Sequence, residues 1–107
     1  MYKEISKDEF QEIMEQLTNK PVWLKVFSDC VTVDILYPSF EFLHFPKIKQ
    51  FQFGHAEYNE ENNYQNILID VVDIVEIHKD IISPTQIIIV LVDGLQLIVE
   101  CDCQEVL

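Results

Sequence analysis

Residues 86–101 read QIIIVLVDGLQLIVEC, and this stretch decides the fold. Two apolar, β-branched runs, Gln86–Val92 and Leu95–Cys101, flank Asp93-Gly94, a dipeptide suited to a type I′ turn because both residue types tolerate positive φ. The pattern predicts an antiparallel hairpin. Ile87–Val92 is apolar at every position, which predicts a central strand covered on both faces. Leu95, Leu97, Val99 and Cys101 alternate with Gln96 and Glu100, an alternation that Ile98 blurs.

Upstream of the hairpin, residues 66–78 shift their apolar parity. Ile67, Ile69 and Val71 hold odd positions, then Val72 and Ile74 follow, then Val75 and Ile77. One strand with a bulge or sharp bend near Val72-Asp73 accounts for this, as does a short helical turn using Val71, Ile74 and Val75. Asn59-Glu60-Glu61-Asn62-Asn63 is the clearest loop. Further strands are expected over 22–27, 30–37, 40–45 and 48–58, punctuated by Ser28-Asp29, Pro38-Ser39 and Pro46. At the N-terminus Ser6-Lys7-Asp8-Glu9 forms a capping box, and Phe10, Ile13, Met14 and Leu17 recur on one stripe. That predicts a helix over 7–18, ended by Asn19-Lys20-Pro21. The 107 residues read as one α+β domain. In it the amphipathic helix packs on a mostly antiparallel, strongly bent sheet of about five to seven strands, with a small open barrel as the variant.

The charge is lopsided. Residues 1–53 hold eight acids and six lysines (net −2), whereas 54–107 hold eleven acids and one lysine, Lys79 (net −10). The total of −12 exceeds the magnitude of about 2–8 that a small domain needs for solubility. There is no arginine, hence no bidentate clamp for phosphate, and two glycines are too few for a phosphate cradle. Nucleic acid and anionic membranes are repelled by such a surface. A basic protein partner is favoured, and a merely well-solvated surface is the plain alternative.

MYKEISKDEF contains no apolar run of the kind a signal peptide requires, and no run approaches the ~20 residues of a membrane span. A cytoplasmic chain is therefore expected, with Cys30, Cys101 and Cys103 as reduced thiols. Cys101 and Cys103 share a face if the last strand reaches that far, yet a lone C-x-C falls short of the four ligands of structural zinc. His44 sits in the aromatic run FEFLHFP, His55 follows Gly54, and His78 shares a strand face with Glu76, an arrangement a surface ion pair explains. No nucleophile elbow, paired metal-binding histidines or calcium loop is present. The sequence implies neither catalysis nor a cofactor.

Interaction surfaces carry more signal. Glu57, Tyr58, Glu60, Glu61 and Tyr64 join two tyrosines to three carboxylates in the loop region, and tyrosine is a common interface anchor. Asp70, Asp73, Glu76 and Asp80 follow and would extend the patch if the fold aligns them. In size, charge and helix-plus-sheet layout the chain resembles phage-encoded (anti-CRISPR-like) inhibitors of host defence nucleases and immunity proteins that neutralise nuclease toxins. No motif ties it to a named family. The resemblance implies a non-enzymatic inhibitor of a basic, nucleic-acid-handling partner. The alternative is a homo-oligomeric structural or assembly protein of a phage or mobile element, a homodimer for example, with Trp23, Phe40, Phe42, Phe51 and Phe53 supplying the interface.

Overall fold

The computed structural model describes residues 2–55, 66–80 and 85–101. Its elements run β1 (Tyr2–Glu4), α1 (Lys7–Gln16), β2 (Val22–Phe27), β3 (Thr32–Tyr37), β4 (Phe40–Phe45), β5 (Gln50–His55), β6 (Ile67–Asp70), a 3-10 turn (Val71–Asp73), β7 (Ile74–Asp80), β8 (Thr85–Leu91) and β9 (Gln96–Cys101). The class is α+β, one helix on antiparallel sheet, but the strands divide into two sheets. The larger has the order β1-β7-β8-β9-β2-β3 and the smaller β4-β5-β6. Among the described residues neither closes into a barrel.

The division arises at the parity shift. Residues 66–78 are not one bent strand: β6 belongs to the small sheet, β7 to the large one, and the 3-10 turn carries the chain between them. That turn is held from three sides. Val71 N–H donates to the Lys49 carbonyl (2.9 Å), Lys7 Nζ donates to the Val71 carbonyl (3.2 Å), and Val92 N–H donates to the Asp73 carbonyl (2.9 Å). The bulge expected at Val72-Asp73 lies instead between Ile74 and Glu76.

The terminal hairpin forms with a different turn. Gly94 has φ 84°, whereas Asp93 does not enter positive φ, so a type I′ turn is not made. Leu91 N–H donates to the Leu95 carbonyl and Gly94 N–H to the Leu91 carbonyl. This is the three-residue loop in which glycine alone supplies the left-handed position. Two other boundaries contract: the expected strand 30–37 begins at Thr32, and 48–58 begins at Gln50 after a turn over 46–49. Residues 56–58 of the latter expectation lie outside the described set.

Ser6 caps α1, its Oγ accepting from the Glu9 amide at 3.1 Å, while the Glu9 carboxylate lies 3.9 Å from Lys79 Nζ on β7. The helix stops at Leu17, earlier than Pro21 requires, because Asn19 turns left-handed at φ 65°. Asparagine is among the few residues that take this conformation readily. Asn19 N–H then donates to the Phe40 carbonyl and Phe40 N–H to the Lys20 carbonyl, stitching the helix end to β4.

The helix stripe, the inner face of the small sheet and the inner face of the large sheet share one core. Phe10 is its hub, with ring centroids 5.8, 5.6 and 6.2 Å from those of Phe42, Phe51 and Phe53. Four aromatics expected to supply a subunit interface, Phe40, Phe42, Phe51 and Phe53, are thus buried, and only Trp23 of that group is exposed. β1 escaped the sequence reading because three mostly polar residues carry no periodicity. It exists through its pairing with β7, continued by Ile5 N–H donating to the Ile77 carbonyl at 2.9 Å.

Candidate functional site

The register of the large sheet fixes which side chains share a face, because residues directly opposite one another on paired strands point the same way. One face carries Ile77, Ile87, Ile89, Leu97, Val99, Val22, Leu24 and Tyr37, all buried in the core. The helix and the small sheet lie on this side. Burial pushes the Tyr37 phenol up to about 12, since the low-dielectric surroundings disfavour its anion.

The opposite face forms three rows across the strands. The first runs Tyr2, Asp80, Gln86, Glu100, Trp23, Leu36; the second Glu4, His78, Ile88, Ile98, Lys25, Asp34; the third Glu76, Val90, Gln96, Phe27, Thr32. Tyr2, Trp23 and Leu36 are 49, 38 and 44% exposed, and Ile88, Val90, Ile98 and Phe27 are half-buried and outside the core. This corrects the expectation for Ile87–Val92: the strand is central, but no described element covers its second face. At a strand spacing of about 4.8 Å, six strands span roughly 24 Å.

Charge on the open face is one-sided. It carries the carboxylates Glu4, Asp34, Glu76, Asp80 and Glu100 against the single lysine Lys25. Lys3 and Lys79 belong to the other face, as their pairing with each other and of Lys79 with Ile87 requires. A hydrogen-bonded chain stiffens the open face: Tyr2 Oη donates to Gln86 Oε1 (3.0 Å), Gln86 Nε2 to Glu100 Oε1 (2.6 Å), and Lys25 Nζ to the same oxygen (3.3 Å). His78 Nε2 lies 2.8 Å from Glu76 Oε2, the pair expected from their shared face.

The carboxylates singled out in the sequence are divided by the fold. Glu76 and Asp80 reach the open face, where Asp80 is buried at 5% exposure between the Tyr2 and Gln86 positions. Asp70 instead precedes the 3-10 turn and Asp73 is its last residue, and Asp70 Oδ1 accepts from Gln50 Nε2 at 3.0 Å. Glu57, Tyr58, Glu60, Glu61 and Tyr64 lie outside the described residues, as does Cys103. Glu4, Asp34, Glu100 and the aromatic Phe27 were missed. Their signal was the even or odd parity of each strand, readable only once strand order was known.

The remaining candidates stay apart. His44 is exposed at the end of β4, its ring 5.2 Å from that of Phe51. Cys30 is exposed and Cys101 buried. Among the described residues no group of three His, Cys, Asp or Glu side chains is placed to hold a metal ion, and no helix is long and apolar enough to cross a membrane. Comparison with protein-family models, curated proteins and solved structures finds no match to this chain, so its reading rests on the chain's own chemistry.

Proposed function

We propose that this chain is a small acidic binding protein that acts in the cytoplasm. It covers the basic surface of a nucleic-acid-handling protein and blocks it by occupancy, without catalysis or a cofactor, as an anti-CRISPR-like phage inhibitor or a nuclease-toxin immunity protein would. The observation that carries this reading is the open sheet face, with five carboxylates, one lysine and seven apolar or aromatic side chains in three rows. Complementary charge accelerates encounter and makes it salt-sensitive, while buried apolar anchors supply most of the affinity. The same carboxylates repel phosphate, which makes nucleic acid the competitor for the partner and not a ligand of this chain.

The test is capture from host lysate on the immobilised protein at low and moderate salt, with the retained proteins identified by mass spectrometry. A basic nucleic-acid-binding protein that duplex DNA displaces is the expected result. Neutralising Glu4, Asp34 and Glu76 together should weaken its retention, and neutralising Glu57, Glu60 and Glu61 tests whether the loop contributes. Retention of neutral partners at every salt concentration removes the reading.

One observation favours the assembly alternative. β3 is an edge strand with Val33 and Leu36 exposed, an edge that could pair with a second copy across a two-fold axis. Centring that axis on Ile35 sets Asp34 against Leu36 of the second copy, whereas centring it on Asp34 opposes two carboxylates. A purely monomeric mass at high micromolar concentration eliminates it.

A further inference from the structure

On the open face lies a shallow hollow of about 340 Å³ lined by Tyr2, His78, Ile88, Val90 and Gln96. Two of its lining side chains are fixed in advance: the Tyr2 hydroxyl donates to Gln86 Oε1 at 3.0 Å, and the His78 ring is 2.8 Å from the Glu76 carboxylate. Ile88 and Val90 sit at the centre of the sheet on β8, half-buried, and belong to no part of the core. Two exposed acids flank the hollow: Glu4 is the register partner of His78 and Glu76 that of Val90, while Asp80, opposite Tyr2, is buried. The face's one lysine, Lys25, is on β2, two strands from β8, and is bonded to Glu100.

We infer that this hollow is the anchoring socket of the binding face, and that it takes an apolar side chain flanked by lysine or arginine from a basic protein partner. The inference rests on the proposed function and names the anchor of that same face. An apolar lining excludes a charged tip from the hollow itself, and the exposed carboxylates Glu4 and Glu76 select cations beside it. A second copy of this chain is a poor occupant, because it would bring its own acids against Glu4 and Glu76. Side chains already held in place lose little freedom on binding, so the apolar contact is retained as affinity.

Two synthetic peptides of equal positive charge test this, one with leucines spaced among lysines, the other with serine in place of each leucine. Titration of the full chain followed by amide NMR shifts should show the leucine peptide binding about tenfold or more tightly, the factor for burying one such side chain. The shifts should gather at Tyr2, Ile88 and Val90. Val90→Ser, which removes the apolar contact without adding charge, should reduce the leucine peptide to the affinity of the serine peptide, with the unfolding midpoint measured alongside. Tyr2→Ala, at an exposed edge position, provides a second variant should Val90→Ser impair folding. Equal affinity of the two peptides, or shifts gathered at Trp23 and Leu36, overturns the socket. A captured basic partner whose binding survives both variants but is lost on neutralising Glu4, Asp34 and Glu76 retains the proposed function and removes the socket alone.

Discussion

The two faces of the large sheet are built from the same strands, often from adjacent residues, yet they differ in kind. On β8 and β9, Ile87, Ile89, Leu97 and Val99 are buried, while their neighbours Ile88, Val90 and Ile98 are left half-open. Composition does not separate the two sets, since all seven are aliphatic. What separates them is what lies opposite: α1 and the small sheet cover one face, and no described element covers the other. The three exposed carboxylates on the uncovered side, Glu4, Asp34 and Glu76, then keep it hydrated and deter edge-to-edge or face-to-face association. An aliphatic residue in a strand reports only that a surface exists to be buried, not whether its own chain buries it.

The contrast can be broken most severely at its hub. Phe10→Ala should destabilise the fold by about 3–5 kcal/mol, because a fully buried ring among three others leaves a cavity. Ile98→Ala on the open face should cost clearly less under the same urea titration. Equal losses would mean that the open face is covered in solution, as an assembled form would require.

Of intermediate size is the helix cap. Ser6→Ala should lower stability by about 1 kcal/mol, since the Glu9 amide loses its acceptor, and Ser6→Asp should restore most of it. Because α1 covers the inner face only, this loss should leave partner or peptide binding at the open face unchanged wherever the chain remains folded.

The smallest effect is confined to alkaline pH. Tyr37 on the covered face has its phenol raised from 10.0 to about 12 by burial, so folding favours the protonated form. Its contribution is complete below pH 10 and is lost as the pH rises through 12. Unfolding midpoints of the wild type and Tyr37→Phe should therefore keep a constant difference from pH 7 to 9, and the wild type should lose ground above that. A constant difference throughout would mean that the phenol is reached by water in the folded state.

The legible parts of this fold were those governed by neighbours in the chain. The cap at Ser6, the apolar stripe from Phe10 to Leu17 and the spans of β2 and β4 depend on local spacing, and they form where the spacing put them. The parity shift around Asp73 was visible too, but its meaning was not. A bulge and a passage between two sheets leave the same trace in a sequence, and only the partners of β6 and β7 distinguish them. The candidate site was legible in sign but not in place. The excess of acid was plain, yet Glu4, Asp34 and Glu100 are drawn together from β1, β3 and β9 by strand order alone.

The sequence by itself determined an acidic, antiparallel α+β chain with one amphipathic helix, because charge, capping and period-2 or period-3.6 patterning act over a few residues. The tertiary structure decided that the described strands form two sheets, that Phe40, Phe42, Phe51 and Phe53 join Phe10 in the core, and that no described element covers one face of the large sheet. Those outcomes depend on contacts between residues distant in the chain, such as Tyr2 with Gln86 or Lys25 with Glu100, whose geometry local patterning does not encode.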